Sequence, residues 1–132
     1  MLCPKPASQG PTVAIRSCWP VTGLSTPVAA QLAPDEAEVH GLVALMEIQA
    51  SRLRARIGAD GAPVLLLDQD RARWDRLLIG RGLAALERAE ALAVAGAGGG
   101  LGPYALQAAI AASHARAPTA EATDWPRIAA LY

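Results

Sequence analysis

Phenylalanine is missing from this chain of 132 residues, and aromatic side chains of all kinds make up only 4% of it, although hydrophobic residues reach 52%. A core must therefore be built from Leu, Ala, Val and Ile, a composition that favours closely packed helices, because alanine has the highest helix propensity. An excess of charge is missing too. Twelve basic and twelve acidic residues cancel, whereas a domain that binds nucleic acid by itself shows a basic face; direct nucleic-acid binding is not expected. The two cysteines, Cys3 and Cys18, are too few for the disulfide framework of a small secreted domain. No apolar run reaches the ~18 residues of a membrane span, and the N-terminus lacks the apolar stretch of a signal peptide. The expectation is a cytoplasmic protein with no membrane partner, of a length that suits one small domain.

What the chain does hold is helical periodicity after a proline-rich start. Pro4, Pro6, Pro11, Pro20 and Pro27 remove backbone donors and disfavour helix in the residues before them. Residues 1–33 are expected to be irregular and disordered, and residues 34–132 to form the helical domain. A first helix is predicted over Asp35–Ile57. Asp35, Glu36 and Glu38 crowd its start, and Arg52, Arg54 and Arg56 its end, which complements the helix dipole. Val39, Val43, Met46, Ala50, Leu53 and Ile57 recur at steps of four and three and predict its buried stripe, broadened by Leu42 and Leu45. Gly58–Gly61 reads as a turn, and Pro63–Leu67 as a short extended segment pressed onto the core.

Asp68 or Asp70 is expected to cap a second helix carrying Trp74, Leu77, Leu78, Leu83, Leu86 and Leu92. Gly80 and Gly82 lie inside it and make sense where another helix comes close. Gly96–Gly102 is a connector, and Pro103 suits the first position of a third helix, with Leu106, Ala109, Ile110 and Ser113 on its inner face. Thr123 or Asp124 opens a fourth helix through Trp125, Ile128 and Leu131. That helix stops at Tyr132 without a C-cap, which predicts a truncated chain. The lengths suit antiparallel helical hairpins of a repeat-like, tetratricopeptide-like array.

Few residues invite chemistry. Gly100 and Gly102 with Ala105 match a loose dinucleotide fingerprint, in which glycines let the backbone approach a pyrophosphate at a helix start. A dinucleotide-binding enzyme fragment using the glycine-rich run at 96–102 is thus the alternative reading. Against it, the preceding segment reads as helix, and Pro103 removes an amide from the cradle. Asp68, Asp70 and Asp75 lack the alternating ligands and distal Glu of a calcium loop; capping explains the first two, and Arg71 to Asp75 is an i,i+4 pair. His40 and His114 have no zinc-ligand spacing around them, and His114 near a helix end suits the dipole. Trp74, Tyr104 and Trp125 each sit near a helix start, as anchors of helix ends or as the lining of a groove. No catalytic, cofactor-binding or metal residue is assigned. The interaction candidates are Asp68, Asp70, Arg71, Trp74, Asp75, Tyr104 and Trp125.

Three ordered blocks carry a resemblance: PDEAEVHGLVALM at Pro34–Met46, GADGAPVLLLDQDRARWD at Gly58–Asp75 and GPYALQAAIAASHARAPTAEATDWPRIAALY at Gly102–Tyr132. From about Leu32 to Tyr132 the chain resembles the C-terminal helical extension of one group of extracytoplasmic-function RNA polymerase sigma factors. The resemblance implies an all-α, non-enzymatic regulatory domain without a cofactor. It implies contacts with RNA polymerase, with the sigma regions of the parent protein or with another regulatory protein. No helix-turn-helix precedes Pro34, so it also implies a fragment that supports transcription initiation in its parent and does not read DNA alone.

Overall fold

The computed structural model describes residues 28–97 and 99–132. Residues 28–32 are helical, a departure from the irregular stretch that the prolines predict. Residues 1–27, with both cysteines and the expected disorder, lie outside the described residues. Four helices follow: α1 (Ala37–Ser51), α2 (Arg76–Ala95), α3 (Pro103–Arg116) and α4 (Trp125–Leu131). Short 3-10 turns at Leu53–Ala55, Leu66–Asp68 and Arg71–Arg73 fill the connection between α1 and α2. The described residues are all-α; their β pairing amounts to an isolated antiparallel bridge between Ile57 and Pro63. None of their helices is long and apolar enough to cross a membrane.

Helix α1 ends at Ser51, six residues before the predicted Ile57, because the turn that follows claims the backbone groups. Gly58 donates to the Ala62 carbonyl at 2.8 Å and Val64 donates to the Arg56 carbonyl at 2.8 Å. Gly61 sits at φ +82°, a conformation that costs glycine little. The turn expected at Gly58–Gly61 is thus present. Beyond it only Leu66 packs on the core, while Leu65 and Leu67 stay exposed. The segment at 63–67 is therefore less pressed inward than its composition predicts.

The buried faces differ from the predicted ones for a common reason. On α1 the residues turned inward are Gly41, Val43, Ala44, Glu47, Ile48 and Ser51, whereas Met46, Leu53 and Ile57 are exposed. On α3 the alanines Ala105, Ala108, Ala109 and Ala112 are wholly buried, and Leu106 and Ile110 only partly so. Small residues line the contacts because the helix backbones nearly touch. A Cβ on Gly41 would lie 2.6 Å from the Ala105 nitrogen, and one on Gly82 would lie 2.6 Å from Ile48 Cγ1. Gly82 therefore marks the close approach that its position in α2 predicts, but Gly80 faces open space.

Contacts along the helices fix how they lie. The Asp75 amide donates to the Ser51 carbonyl at 2.9 Å, so the start of α2 meets the end of α1. Further along, Arg81 pairs with Glu47 at 2.6 Å and Arg88 lies 3.7 Å from Asp35 at the other end of α1. Helix α3 starts beside the start of α1, where Gly41 meets Ala105. Ile48 and Leu86 are the largest fully buried aliphatic side chains, packed with Ala44, Ala108, Ala109 and Ala112. Burying a side chain of that size stabilises by roughly 1.5–3 kcal/mol.

Candidate functional site

The feature with the most chemistry lies around Trp74, where the connection between α1 and α2 meets the end of α3. Trp74 is 3% exposed and precedes α2 in an extended conformation, whereas the sequence predicts it inside that helix, which starts only at Arg76. The Arg71 guanidinium lies 4.5 Å from the centre of its ring and the Arg52 guanidinium 5.9 Å. Each such cation–π contact contributes about 0.5–2 kcal/mol. Arg71 also donates from Nη1 to the His114 carbonyl at 2.6 Å, which closes the last turn of α3. The His114 ring meets Trp125 edge-on, with centroids 5.5 Å apart. Arg52, Arg71 and His114 are each buried.

This cluster is cationic and has no carboxylate partner among the described residues. The ion pairs among the described residues join Arg81 to Glu47, Arg88 to Asp35 and Arg127 to Glu90. Arg52 and Arg56 instead share the neutral Gln49 Oε1 as acceptor. Burial, then Arg56 and Arg71, push the Arg52 guanidinium down to about 10. Burial likewise lowers Arg71, with Arg76 adding to the effect and Glu121 opposing it. His114 is held below the ordinary histidine value by burial first and by Arg52 and Arg71 next.

The placing of His114 corrects the expectation of a helix-end cation: it is a buried, neutral ring facing two guanidiniums, with Trp125 of α4 at its edge. The unfolded chain then binds more protons than the folded one as pH falls below about 6.5. The contribution of His114 to stability is complete above that pH and is lost as pH falls through its lower folded pKa. Urea denaturation at pH 7.5 and at pH 5.5, both about one unit from that reference value, should show lower stability at the acid end. The His114→Gln variant should show a smaller difference between the two.

The three aspartates do not act as predicted. Asp75, not Asp68 or Asp70, caps α2, accepting from the Leu77 and Leu78 amides at 3.0 and 3.2 Å. Asp70 caps the 3-10 turn Arg71–Arg73 through the Ala72 amide at 2.9 Å, and Asp68 is exposed at the end of the preceding turn. The expected Arg71–Asp75 pair is absent, because the 3-10 turn and the extended Trp74 between them break the helical i,i+4 geometry. Tyr104 and Trp125 are each 48% exposed, so Trp74 alone of the three aromatics is a fully buried anchor. Among the described residues no group of three or more His, Cys, Asp or Glu side chains comes together. His40 hydrogen bonds through Nε2 to the Pro34 carbonyl at 2.8 Å and ties down the entry to α1.

Glu38, expected only as one of the acids at the start of α1, has a second role. Its carboxylate crosses from α1 to the start of α3 and accepts from the Tyr104 and Ala105 amides at 2.9 and 3.2 Å. These are free N-terminal donors of the kind a phosphate would seek, so a side chain already fills the anion position of the glycine-rich run. In the sequence Glu38 is indistinguishable from any acid favoured by a helix dipole. Glu38→Ala should cost about 1–2 kcal/mol, the range of a lost helix cap. It should also speed hydrogen exchange at the Tyr104 and Ala105 amides, whereas Glu38→Gln, which keeps one acceptor, should cost less. An open cleft of about 230 Å³ between the end of α3 and α4 is lined by Ser113, Arg116, Pro118, Asp124 and Arg127. Two of its charged groups are engaged: Asp124 caps α4 and Arg127 pairs with Glu90.

Residues 7–90, more than half of the chain, match the model of the family of unknown function DUF6596, and the chain belongs to that family. An uncharacterized protein of Rhizobium meliloti (strain 1021) is 49% identical over 102 residues, which cover 77% of this chain and 23% of that protein. The chain thus spans less than a quarter of the length of this curated relative. No solved structure matches it.

Proposed function

We propose that this member of the DUF6596 family is a non-enzymatic helical interaction domain. In this reading it serves inside a longer sigma factor of the extracytoplasmic-function type, in the cytoplasm. It contacts RNA polymerase, the sigma regions of the same polypeptide or another regulatory protein. The observation that carries the interaction reading is the surface of the helical domain. Large apolar side chains, Leu65, Leu77 and Val94 among them, are left 70% or more exposed, while alanines fill the interior. Exposed apolar side chains mark a contact surface where they gather into one patch. The order of contacts along α1, α2 and α3 supports the hairpin arrangement of a tetratricopeptide-like array. The sigma-factor reading rests on the three sequence blocks at Pro34–Met46, Gly58–Asp75 and Gly102–Tyr132. The greater length of the Rhizobium meliloti relative is compatible with a parent that holds further regions.

The alternative, a dinucleotide site at 96–102, loses support at two points. Helix α2 leads into the run where the fingerprint needs a strand, and Glu38 takes the amides that would hold a pyrophosphate.

Reconstituted transcription with core RNA polymerase tests the proposal. The full-length Rhizobium meliloti relative should direct initiation from a promoter, its deletion variant lacking the segment matched here should do so with altered efficiency, and the present chain alone should not. Initiation by the isolated chain, or none by the full-length relative on any promoter of a genomic library, sinks the reading.

A further inference from the structure

We propose that the cluster of Arg52, Arg71, Trp74 and His114 is a binding site for a compact oxyanion, one that offers at least two acceptor oxygens. Several donors in the cluster have no acceptor. Arg52 Nε, Arg71 Nη2 and Trp74 Nε1 are buried N–H groups without a hydrogen-bond partner among the described residues, and His114 Nδ1 is a fourth unpartnered nitrogen. Both guanidiniums lie on the Trp74 ring, and Arg71 is bonded to the main-chain carbonyl of His114. Arg52 and Arg71 are each 8% exposed, as is His114.

Two buried guanidiniums of like charge are an expensive arrangement unless a counter-charge joins them. The described residues do not supply one. Glu121 is the carboxylate whose field reaches Arg71, but it is fully exposed and bonded to Thr119 and its own backbone. Asp70 and Asp75 are spent as caps, and Glu47 faces Arg81. The planar fork of a guanidinium matches carboxylate and phosphate oxygens, and an indole N–H adds a donor with no acceptor capacity of its own. The unpartnered N–H groups of Arg52, Arg71 and Trp74 suit an anion. The site is independent of the transcription reading, since it stands on side chains within this chain.

The test is a titration of the whole chain at constant pH and ionic strength with sodium phosphate, with sodium acetate as a stand-in for an acidic side chain, and with chloride as reference. NMR signals of Arg52 Nε–H and Trp74 Nε1–H, together with the melting temperature, are followed. Saturable shifts of both signals with a rise in melting temperature are expected. Saturation by phosphate alone identifies a phosphate-type ligand, and saturation by acetate as well identifies a carboxylate. Arg52→Met keeps the apolar stem on Trp74 and should lose the saturable response. The gap in melting temperature between wild type and this variant should widen from chloride to phosphate, an outcome that a purely structural role for Arg52 does not give. Arg54→Met, at an exposed neighbour, should respond as the wild type does. Shifts that stay linear in phosphate and acetate and match those in chloride, the behaviour of a cluster filled by water alone, overturn the proposal. Because the wild-type titration decides this directly, the proposal remains testable even if Arg52→Met fails to fold.

Discussion

Gly41→Ala should destabilise the protein by about 3 kcal/mol and lower its melting temperature by roughly 10–20 °C. The added methyl has nowhere to go. It would meet the Ala105 nitrogen at 2.6 Å and Cα at 2.8 Å, and backbone atoms cannot rotate away as the end of a side chain can. Helices α1 and α3 must move apart, which also pulls Glu38 from the Tyr104 and Ala105 amides. The intrinsic gain of Ala over Gly in a helix, about 1 kcal/mol, is too small to offset this. Gly80→Ala is the matched control, because a Cβ there meets nothing within 4 Å. It should raise stability by about 0.5–1 kcal/mol. Thermal melts of the two variants check both signs, and equal effects would contradict the close approach of α1 and α3.

Arg81→Ala should cost about 2–4 kcal/mol in urea denaturation, because it strands a buried carboxylate. Glu47 is 2% exposed on the inner face of α1, with Oε1 2.6 Å from Arg81 Nη2. The cost falls toward or below the bottom of the usual range for breaking a buried pair, since the Arg81 side chain is 38% exposed and water can replace part of what it gives. Glu47→Gln should cost less than Arg81→Ala, and combining the two should recover much of the loss, because the stranded charge is then gone. A double-mutant cycle with additive effects would show that the pair does not couple and that Glu47 finds another partner.

Much of the helical layout can be read from single residues. Pro103 at a helix start, the glycines bounding the Gly58–Gly61 turn and Asp124 before Trp125 each act through the local backbone. Their effect therefore depends little on the rest of the molecule. The faces are another matter. Met46, Leu53 and Ile57 have the right spacing and the larger side chains, yet Gly41, Ala44 and Ile48 face inward. Periodicity counts apolar residues and is blind to how near two helix axes come. The Trp74 cluster is half legible in the sequence: Arg71 and Trp74 stand out as candidates, but Arg52 and His114 join them from positions 19 or more residues away.

The amino-acid order alone determined an all-helical domain of aliphatic and alanine-rich packing, with its turns and most of its helix starts, because propensity, capping and proline geometry are local effects. Tertiary structure decided which faces are buried, that Glu38 rather than a ligand fills the start of α3, and that two guanidiniums stack on one indole. Those outcomes depend on distances between segments far apart in the chain, set by how closely small residues allow the backbones to approach.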